Sequence, residues 1–239
     1  MLIVFDLDGT LIDSSRDLAN AINALIEEYG GTRFEIADVM AMVGEGAAVL
    51  VRRALTASGL DPESPGALER FLDLYGERLT DHTRPYDGMM DVLADLRKAG
   101  RTLAVLTNKP QRATTTIMER LGLAPAFSDV VGGDTAAGRK PDPTGLLQII
   151  GRAAATPAST LLVGDSPVDL ETARRAGTRI CLARYGFGYR FGEGTFLGDE
   201  LFIDAPSELL TVLGVGLTEG TESAQHGDTG ARKYTESSG

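Results

Sequence analysis

The feature that most constrains this chain is a set of three short apolar segments, each followed directly by polar residues. Residues 2–5 read Leu-Ile-Val-Phe, residues 102–106 read Thr-Leu-Ala-Val-Leu, and residues 160–163 read Thr-Leu-Leu-Val. Apolar runs this short, without polar alternation, are typical of strands that are buried on both faces of a parallel sheet. Weaker strands are predicted near residues 129–132, 178–183 and 201–203.

Segments with helical spacing alternate with these strands. The predicted helices of this part of the chain cover residues 89–99, 111–121, 143–153 and 167–176. Gly100, Gly122 and Gly177 follow three of them, and glycine readily takes the left-handed conformation that closes a helix. Strands alternating with helices predict an α/β fold, a Rossmann-like core with a mostly parallel sheet.

Residues 15–81 interrupt this alternation because their pattern is almost entirely helical. Ser14 or Ser15 can cap a first helix, which would close at Gly30-Gly31. Two further helical faces follow, and their members are Val49, Leu50, Arg53 and Ala54, then Leu68, Phe71, Leu72 and Tyr75. No strand is predicted between residues 10 and 101, so the helices are interpreted as an insertion into the core.

The sequence therefore predicts three parts. Residues 1–14 and 84–215 form the Rossmann-like core, and residues 15–83 form an inserted all-helical domain, with hinges near Ser14 and Arg84-Pro85. Residues 216–239 are rich in Thr, Glu, Gly and Ser, and they have too few bulky apolar side chains to offset the entropy cost of ordering. This polar tail is expected to be disordered.

Charge and rare residue types exclude several classes of function. The net charge is −11, and the sequence has no basic stripe that could bind nucleic acid or an anionic membrane. The two histidines, His82 and His226, leave little room for a Ser-His-Asp site or a histidine-rich zinc site. The single cysteine, Cys181, is expected to be a small buried hydrophobe. No apolar run could cross a bilayer and no signal peptide is evident, so a cytoplasmic location is expected.

Polar residues follow all three of the strongest strands. The first strand leads into Asp6-Leu-Asp8-Gly-Thr10, the second into Thr107-Asn108-Lys109, and the third into Gly164-Asp165-Ser-Pro-Val-Asp169. Ligands of open α/β sheets bind beyond the carboxyl ends of the strands, so these three ends are expected to converge on one site.

The acidic residues at this edge favour a bound cation. Asp6, Asp8 and Asp165 would repel one another unless a positive charge held them together. A set of oxygen ligands without histidine or cysteine is typical of a hard cation, and Mg²⁺ is the predicted cofactor. Asp8 lies where the chain begins to turn, so its side chain can approach a leaving oxygen while its carbonyl faces the metal. Gly9 permits that tight turn.

Three further residues could bind an anionic group at the same edge. Lys140 lies in Gly138-Arg-Lys-Pro-Asp-Pro, where two prolines stiffen the loop that would hold its ammonium group. Such a cation would offset the repulsion between a phosphate and an attacking carboxylate. Thr107 and the backbone of Asn108 can donate hydrogen bonds to phosphate oxygens.

Each of these motifs also has a purely structural interpretation. Asp8-Gly9 alone is a turn signal, residues 164–167 could cap a helix, and Lys140 alone could be a solvated loop residue. Thr107-Asn108 could simply end a strand. Their joint occurrence, in order and at the ends of the best strands, favours a site.

This joint set resembles the haloacid dehalogenase superfamily of phosphohydrolases over about residues 1–215. The resemblance rests on Asp6-x-Asp8-x-Thr10, Thr107, Lys140 and Gly164-Asp165-x3-Asp169. Within the superfamily the chain is most similar to bacterial phosphoglycolate phosphatases. The supporting strings are FDLDGTLIDS, VGEGAAVLVRRAL, RPYDG, LTNKP, GGD, GRKPDP and VGDSPVD. The helical insertion resembles the family's cap, which sets substrate choice.

The resemblance implies a role for each matching residue. Asp6 would be the nucleophile that forms an aspartyl-phosphate, and Asp8 would protonate the leaving alcohol and then deprotonate water. Asp6, the Asp8 carbonyl and Asp165 would hold Mg²⁺, while Asp169 would orient a metal-bound water or Lys140. The transferring phosphoryl group would be bound by Thr107, Asn108 and Lys140, and Thr10 would have a supporting role.

The cap contributes one candidate binding element. Gly44-Glu45-Gly46 precedes a predicted helix, whose N-terminus could hold a substrate carboxylate. The charge of Glu45 opposes an anion there, and an ordinary loop followed by a helix start is the alternative interpretation.

The predicted function is therefore hydrolysis of a small phosphorylated metabolite, with 2-phosphoglycolate as the expected substrate. Another small phosphate ester, pyrophosphate or a sugar phosphomutase reaction are the alternatives. Dehalogenases of the family lack the second aspartate, so Asp8 argues for phosphoryl transfer. A non-catalytic binding protein would be expected to have lost Asp6, Lys140 or Asp165. Nucleic acid and membranes are not expected partners, and the chain is expected to be a monomer or a homodimer.

Overall fold

The computed structural model of the protein describes residues 1–215. Its strands are β1 (Leu2–Phe5), β2 (Ile12–Asp13), β3 (Arg84–Pro85), β4 (Thr102–Leu106), β5 (Asp129–Val131), β6 (Thr160–Gly164), β7 (Arg179–Ala183) and β8 (Leu201–Ile203). Its α-helices are α1 (Ser15–Glu28), α2 (Ile36–Met40), α3 (Ala47–Ala57), α4 (Ala67–Glu77), α5 (Met89–Lys98), α6 (Gln111–Arg120), α7 (Thr144–Arg152), α8 (Pro167–Ala176) and α9 (Glu208–Val212). The predicted α/β fold is confirmed.

Six of the strands form one parallel sheet in the order β5-β4-β1-β6-β7-β8. The first strand lies in the middle because Phe5 pairs with Val105 of β4 on one side and with Val163 of β6 on the other. The chain leaves β1 toward one edge of the sheet and later returns to fill the other. Such a reversal opens a crevice at the carboxyl ends of the central strands.

Strand β1 is apolar throughout because both faces of the sheet are covered. Ile3 and Phe5 belong to one buried apolar cluster, while Leu2 and Val4 belong to a second cluster on the opposite face. Successive side chains of a strand point to opposite faces, so a run without polar residues is what a sheet covered on both sides requires. The sequence signal for β1 therefore follows directly from its central position.

Residues 15–83 contain the four helices α1 to α4. The apolar stripe of α1, which includes Leu18, Ile22 and Leu25, is buried as its spacing predicts. Arg70 of α4 donates two hydrogen bonds to the carboxylate of Glu28 on α1, at 2.5 and 2.7 Å. Helix α2 is absent from the predictions because five residues give too short a periodic pattern. The boundaries of an inserted domain at residues 15 and 83 stay a prediction.

The prediction that no strand lies between residues 10 and 101 is wrong. Ile12 pairs with Pro85, and Asp13 with Arg84, so β2 and β3 form a two-stranded antiparallel ladder. A strand of two residues shows no alternation, and Arg84-Pro85 reads as a turn in the sequence. The ladder lies where the chain enters and leaves the four helices, and it holds these two connections side by side.

A buried carboxylate reinforces this junction. Asp17, in the first turn of α1, is fully buried and accepts hydrogen bonds from the backbone N–H groups of His82 and Thr83. The Thr83 hydroxyl donates to it at 2.7 Å, and His82 Nδ1 lies 2.9 Å from it. Burial by itself would raise the pKa of Asp17, but these hydrogen bonds lower it overall.

Two other predictions concern single features of the chain. Cys181 is buried in β7, and burial raises the pKa of its thiol to about 12, in keeping with its expected role as an apolar side chain. Among residues 1–215, no helix is long and apolar enough to span a membrane. The predicted disorder of 216–239 lies outside the described residues.

We expect Asp17→Asn to lower the free energy of unfolding by about 2–3 kcal/mol, since it removes a charged acceptor that several donors share. Asp73→Asn, on an exposed position of α4, is the matched control and should change stability by less than about 0.5 kcal/mol. Because the pKa of Asp17 is lowered in the folded state, its contribution exists at neutral pH and is lost as the pH falls through that lowered value. Urea titrations across pH should show the difference between wild type and Asp17→Asn shrinking below about pH 4. Equal stability of the two at pH 7 would contradict this role.

Candidate active site

Three neighbouring strands place their polar ends at the same edge of the sheet. Asp6 follows β1, and its backbone N–H donates to the Val163 carbonyl of β6 at 2.8 Å. Thr107 follows β4, Asp165 follows β6, and all three residues are buried. The predicted convergence thus results from the strand order, in which β1 lies between β4 and β6.

Lys140 joins two of the carboxylates at this edge. Its ammonium nitrogen lies 2.7 Å from Asp6 Oδ1 and 2.6 Å from Asp169 Oδ1, and its side chain is 2% exposed. Asp169 is held in turn by Ser166, whose backbone N–H and hydroxyl donate to Oδ2. Of the two roles that the resemblance implies for Asp169, the contact with Lys140 is the one that the geometry displays.

Three buried carboxylates are arranged as ligands of a cation would be. One oxygen from each of Asp6, Asp165 and Asp169 lies within 4.8 Å of the others. The donors are all carboxylate oxygens, a set that suits a hard divalent cation. The side chain of Asp8 does not belong to this group, and only its carbonyl was predicted as a ligand. The residues present therefore fit a metal such as Mg²⁺.

Burial, and to a smaller extent crowding, raises the proton affinity of two of these carboxylates. Burial raises the pKa of Asp6 to about 6, with the charge of Lys140 opposing the rise and that of Asp169 adding to it. Burial also raises the pKa of Asp165 well above its ordinary value, and the neighbouring charges of Asp169 and Asp6 add to the effect. A divalent cation bound among them would favour the ionised forms and reverse this rise.

Glycines from two loops pack directly against Asp165. Gly9 has a φ of +84°, and a Cβ atom there would lie 2.0 Å from Asp165 Oδ2. Gly188, in the loop after β7, donates its backbone N–H to the same oxygen at 2.8 Å. A side chain at Gly186 would come within 2.3 Å of Asp165 as well. These close approaches fix the orientation of the carboxylate and exclude any larger residue.

Asp8 lies in a different environment from Asp6. Its Oδ1 accepts a hydrogen bond from the Ser14 hydroxyl at 2.5 Å, and the Lys109 ammonium nitrogen lies 2.9 Å from Oδ1 and 3.0 Å from Oδ2. Ser14 occupies the N-cap position of α1, but it makes no side-chain capping bond there, because its hydroxyl is directed to Asp8. Each of the two aspartates thus has its own lysine.

The side chain of Asn108 connects the helical segment to the Lys140 loop. Its amide nitrogen donates to the Gly44 carbonyl and to the Lys140 carbonyl, both at 2.9 Å, and its oxygen accepts from the Lys140 N–H at 2.8 Å. With these partners the side chain serves positioning, which leaves the predicted binding role to the Asn108 backbone. Thr107 Oγ1 accepts from the Lys109 N–H at 3.2 Å, so the hydroxyl hydrogen can still be donated to a ligand.

A cleft lies between these residues and the helices of residues 15–83. Its helical side is lined by Leu18, Val43, Gly44, Gly46, Ala47, Leu50, Phe71, Leu72 and Tyr75. Tyr75 supplies the only polar side chain among these lining residues. The opposite side carries Asp6, Asp8, Asp165 and the two lysines, so the described cleft has one charged wall and one nearly apolar wall.

The predicted binding element at residues 44–46 faces this cleft. Gly46 has a φ of +94° at the N-cap position of the eleven-residue helix α3, and both Gly44 and Gly46 line the cleft. Glu45 forms an ion pair with Arg53, which also donates to the Met42 carbonyl. The positive charge of Arg53 therefore offsets the negative charge of Glu45, which by itself would oppose an anion at this position.

Several residues of the site were not assigned by sequence reasoning. Lys109 and Tyr75 appeared only as parts of a strand end and a helix face, and Ser14 only as a cap. Gly186 and Gly188 could have been suspected, because alternate glycines follow β7 at the same edge of the sheet. Thr10, predicted as a supporting residue, is fully buried with no hydrogen-bond partner for its hydroxyl among the described residues.

The amino-acid sequence is similar to a known family of hydrolases and to individual members of known function. The family model described as haloacid dehalogenase-like hydrolase matches residues 3–183. The phosphoglycolate phosphatase of Caulobacter vibrioides is 36% identical over 218 residues, which cover 88% of this chain and 91% of that protein. The phosphoglycolate phosphatase of Pseudomonas putida is 40% identical over 194 residues, covering 79% of this chain and 71% of that protein.

A solved structure shows the same architecture. The crystal structure described as a predicted phosphoglycolate phosphatase from Haemophilus somnus 129pt superimposes with a TM-score of 0.81 at 30% sequence identity. The match covers 89% of this chain and 97% of that chain. The likeness therefore extends over the sheet and the inserted helices together.

We expect Asp165→Asn to stabilise the metal-free protein by about 1–3 kcal/mol at pH 7.5, because it removes one of several crowded buried charges. In the wild type, the folded state holds protons at Asp6 and Asp165 more tightly than the unfolded chain does. Without metal, stability should therefore fall as the pH rises from about 4 through about 6.

Thermal unfolding with chelator and with Mg²⁺ tests this expectation. Mg²⁺ should raise the melting temperature of the wild type and of the exposed control Asp199→Asn, but not that of Asp165→Asn. The assignment fails if Asp165→Asn keeps the full Mg²⁺-dependent rise.

Proposed function

The chain belongs to the haloacid dehalogenase-like hydrolases, and from this membership we propose that it is a Mg²⁺-dependent phosphatase acting on 2-phosphoglycolate. The observation that carries the proposal is the separation of two aspartates at the end of β1. Asp6 pairs with Lys140 and lies close to the carboxylates of Asp165 and Asp169, whereas Asp8 pairs with Lys109 beside the apolar wall. Two carboxylates in different environments can take different chemical roles.

In the proposed first step, Asp6 acts as the nucleophile. Its carboxylate oxygen forms a bond to phosphorus while the ester bond from phosphorus to the leaving oxygen breaks, and Asp8 gives its proton to that oxygen. Lys140 offsets the repulsion between the carboxylate and the phosphate, since its ammonium group is buried beside Asp6. The products of this step are an aspartyl-phosphate and an alcohol.

The second step regenerates the protein. A water molecule attacks phosphorus, Asp8 takes a proton from it, and the bond between phosphorus and Asp6 breaks to release inorganic phosphate. Thr107 and the Asn108 backbone donate hydrogen bonds to the phosphoryl oxygens in both steps. The reaction consumes one water and needs no other reactant.

Mg²⁺ is proposed as the metal at the acidic group, with Asp6, the Asp8 carbonyl, Asp165 and Asp169 as the residues available to hold it. When bound, a divalent cation neutralises negative charge on the phosphoryl oxygens. Asp169 also contacts Lys140, and we assign it the role of positioning that lysine.

The apolar wall of the cleft supports a small substrate. A sugar would bring several hydroxyl groups against Leu50, Phe71 and Leu72, where they would lose their hydrogen bonds to water without replacement. The glycolate part of 2-phosphoglycolate has a single methylene and a carboxylate. This contrast favours phosphatase over phosphomutase, and the names of the relatives point the same way.

We further propose that residues 15–83 act as a cap over a core of residues 1–14 and 84–215. The cleft between them contains both the charged site and the apolar wall, and Asn108 of the core bonds to Gly44 of the helical segment. Closing such a cap would exclude water from the site during the first step. A cytoplasmic location and a monomeric or homodimeric state stay predictions from the sequence.

The roles of the two aspartates can be separated by isosteric substitution. Asp6→Asn should reduce turnover on the order of 10⁵-fold, because the nucleophile is lost. Asp8→Asn should reduce it about 10²- to 10⁴-fold, as expected for loss of a general acid and base. With an aryl phosphate, whose leaving group needs no proton, Asp8→Asn should accumulate the aspartyl-phosphate, detectable as a phosphoryl adduct on Asp6 by mass spectrometry. An active Asp6→Asn variant would refute the mechanism.

A substrate panel tests the proposed reaction. With Mg²⁺, kcat/KM for 2-phosphoglycolate should exceed that for glucose 1-phosphate, pyrophosphate and ethyl phosphate, and excess chelator should abolish turnover. A phosphomutase would instead require a sugar bisphosphate and would convert glucose 1-phosphate without releasing phosphate. Preference for sugar phosphates or pyrophosphate would overturn the substrate assignment while leaving the phosphatase class intact.

A further inference from the structure

Lys109 is a buried cation that the proposed mechanism leaves without a role. Its side chain is 3% exposed, and it lines the cleft beside Asp8. Its ammonium nitrogen lies 2.6 Å from the Tyr75 hydroxyl and 4.6 Å from the centre of the Tyr75 ring. A buried charge must be paired to offset its desolvation, and Lys109 is paired with Asp8, one of the proposed reacting groups.

The two lysines of the cleft serve opposite ends of the substrate. Lys140 contacts Asp6 and Asp169, on the side of the nucleophile and the phosphoryl group. Lys109 contacts Asp8, which faces the leaving oxygen in the proposed reaction. A charge next to Asp8 is therefore a charge next to the leaving group.

The helical wall provides no charged group that could bind an anion, and besides Tyr75 it offers only the backbone N-terminus of α3 at Gly46. Among its lining residues, Tyr75 alone has a polar side chain, and none is a cation. Arg53 of α3, which does not line the cleft, is paired with Glu45. A carboxylate on the leaving group thus finds its charge partner on the core side of the cleft.

We propose that Lys109, together with the Tyr75 hydroxyl, binds the carboxylate of the substrate's leaving group and so selects carboxylate-bearing phosphate esters. The inference rests on the proposed phosphatase reaction, since it uses Asp8 to place the leaving oxygen. In a glycolate ester, one methylene carbon separates that oxygen from the carboxylate. A leaving oxygen in contact with Asp8 consequently brings the carboxylate within reach of a nitrogen that lies 2.9 Å from Asp8.

Tyr75 is suited to assist because it stays a neutral hydroxyl. Burial raises the pKa of Tyr75 to about 12, so the phenol keeps its hydrogen at neutral pH. The hydroxyl oxygen accepts from Lys109, which leaves that hydrogen to be donated to a carboxylate oxygen in the cleft. The helix α4 that carries Tyr75 would therefore contact the substrate through the same anionic group.

Two phosphonates that cannot be hydrolysed test this binding without requiring catalysis. They are 3-phosphonopropanoate, which has the carboxylate, and propylphosphonate, which has a methyl group in its place. Inhibition constants should be measured in the Mg²⁺-loaded full chain with an aryl phosphate as the reporter substrate. The variants are Lys109→Met, which keeps the length of the side chain, and Tyr75→Phe, which removes only the hydroxyl. The control is Lys98→Met, on an exposed position of α5.

Wild type and Lys98→Met should bind 3-phosphonopropanoate more tightly than propylphosphonate. Lys109→Met should raise the inhibition constant of 3-phosphonopropanoate about a hundredfold, as expected for loss of one buried charge pair. It should change the inhibition constant of propylphosphonate by less than about threefold. Tyr75→Phe should weaken 3-phosphonopropanoate about fivefold to tenfold. If Lys109→Met misfolds, the ratio of the inhibition constants of the two phosphonates in Tyr75→Phe still decides between substrate binding and a structural role.

Equal weakening of both phosphonates, no weakening of either, or a wild type that does not prefer the carboxylate would each overturn the inference. The proposed function can fail separately. If the wild type prefers 3-phosphonopropanoate, and Lys109 accounts for it, while 2-phosphoglycolate is a poor substrate, then carboxylate recognition by Lys109 stands and only the substrate's identity is wrong.

Discussion

The balance of buried charge at the carboxyl edge of the sheet governs the rest of this structure. The strand order brings Asp6, Asp165 and Asp169 together, and their repulsion must be offset within a space that excludes water. Lys140 offsets part of it, while burial, together with the smaller effect of the charge of Asp169, raises the pKa of Asp6 to about 6. Asp6 and Asp165 therefore hold protons more tightly in the folded state than in the unfolded chain, which lowers the stability of the metal-free protein at neutral pH.

Most of the core could be predicted because its signals are local and strong. Strand β1 is apolar on both faces since it lies at the centre of the sheet, and Asp6 follows it directly at the carboxyl edge. The same pattern of apolar strands followed by polar residues predicts that Thr107 and Asp165 lie at one edge of the sheet. The resemblance to a family then supplied roles that spacing alone could not have assigned.

The unpredicted features are those made by distant parts of the chain with little sequence pattern. The ladder of β2 and β3 has two residues on each side, and the partners of Asp17 lie 65 and 66 positions further along the chain. Lys109 and Tyr75 are separated by 34 residues, so only the folded chain shows that they meet. Periodicity reports which side of an element is buried, but not which polar atoms meet there.

The position of Asn108 has a consequence for how the cleft can open. One amide nitrogen bonds to the carbonyl of Gly44, on the helical side of the cleft, and to the carbonyl of Lys140 on the other. Any widening of the cleft at Gly44 must break a hydrogen bond of the side chain that also holds the backbone of Lys140. Movement of the helical side at Gly44 and loosening of the loop that carries Lys140 are therefore linked through a single side-chain amide.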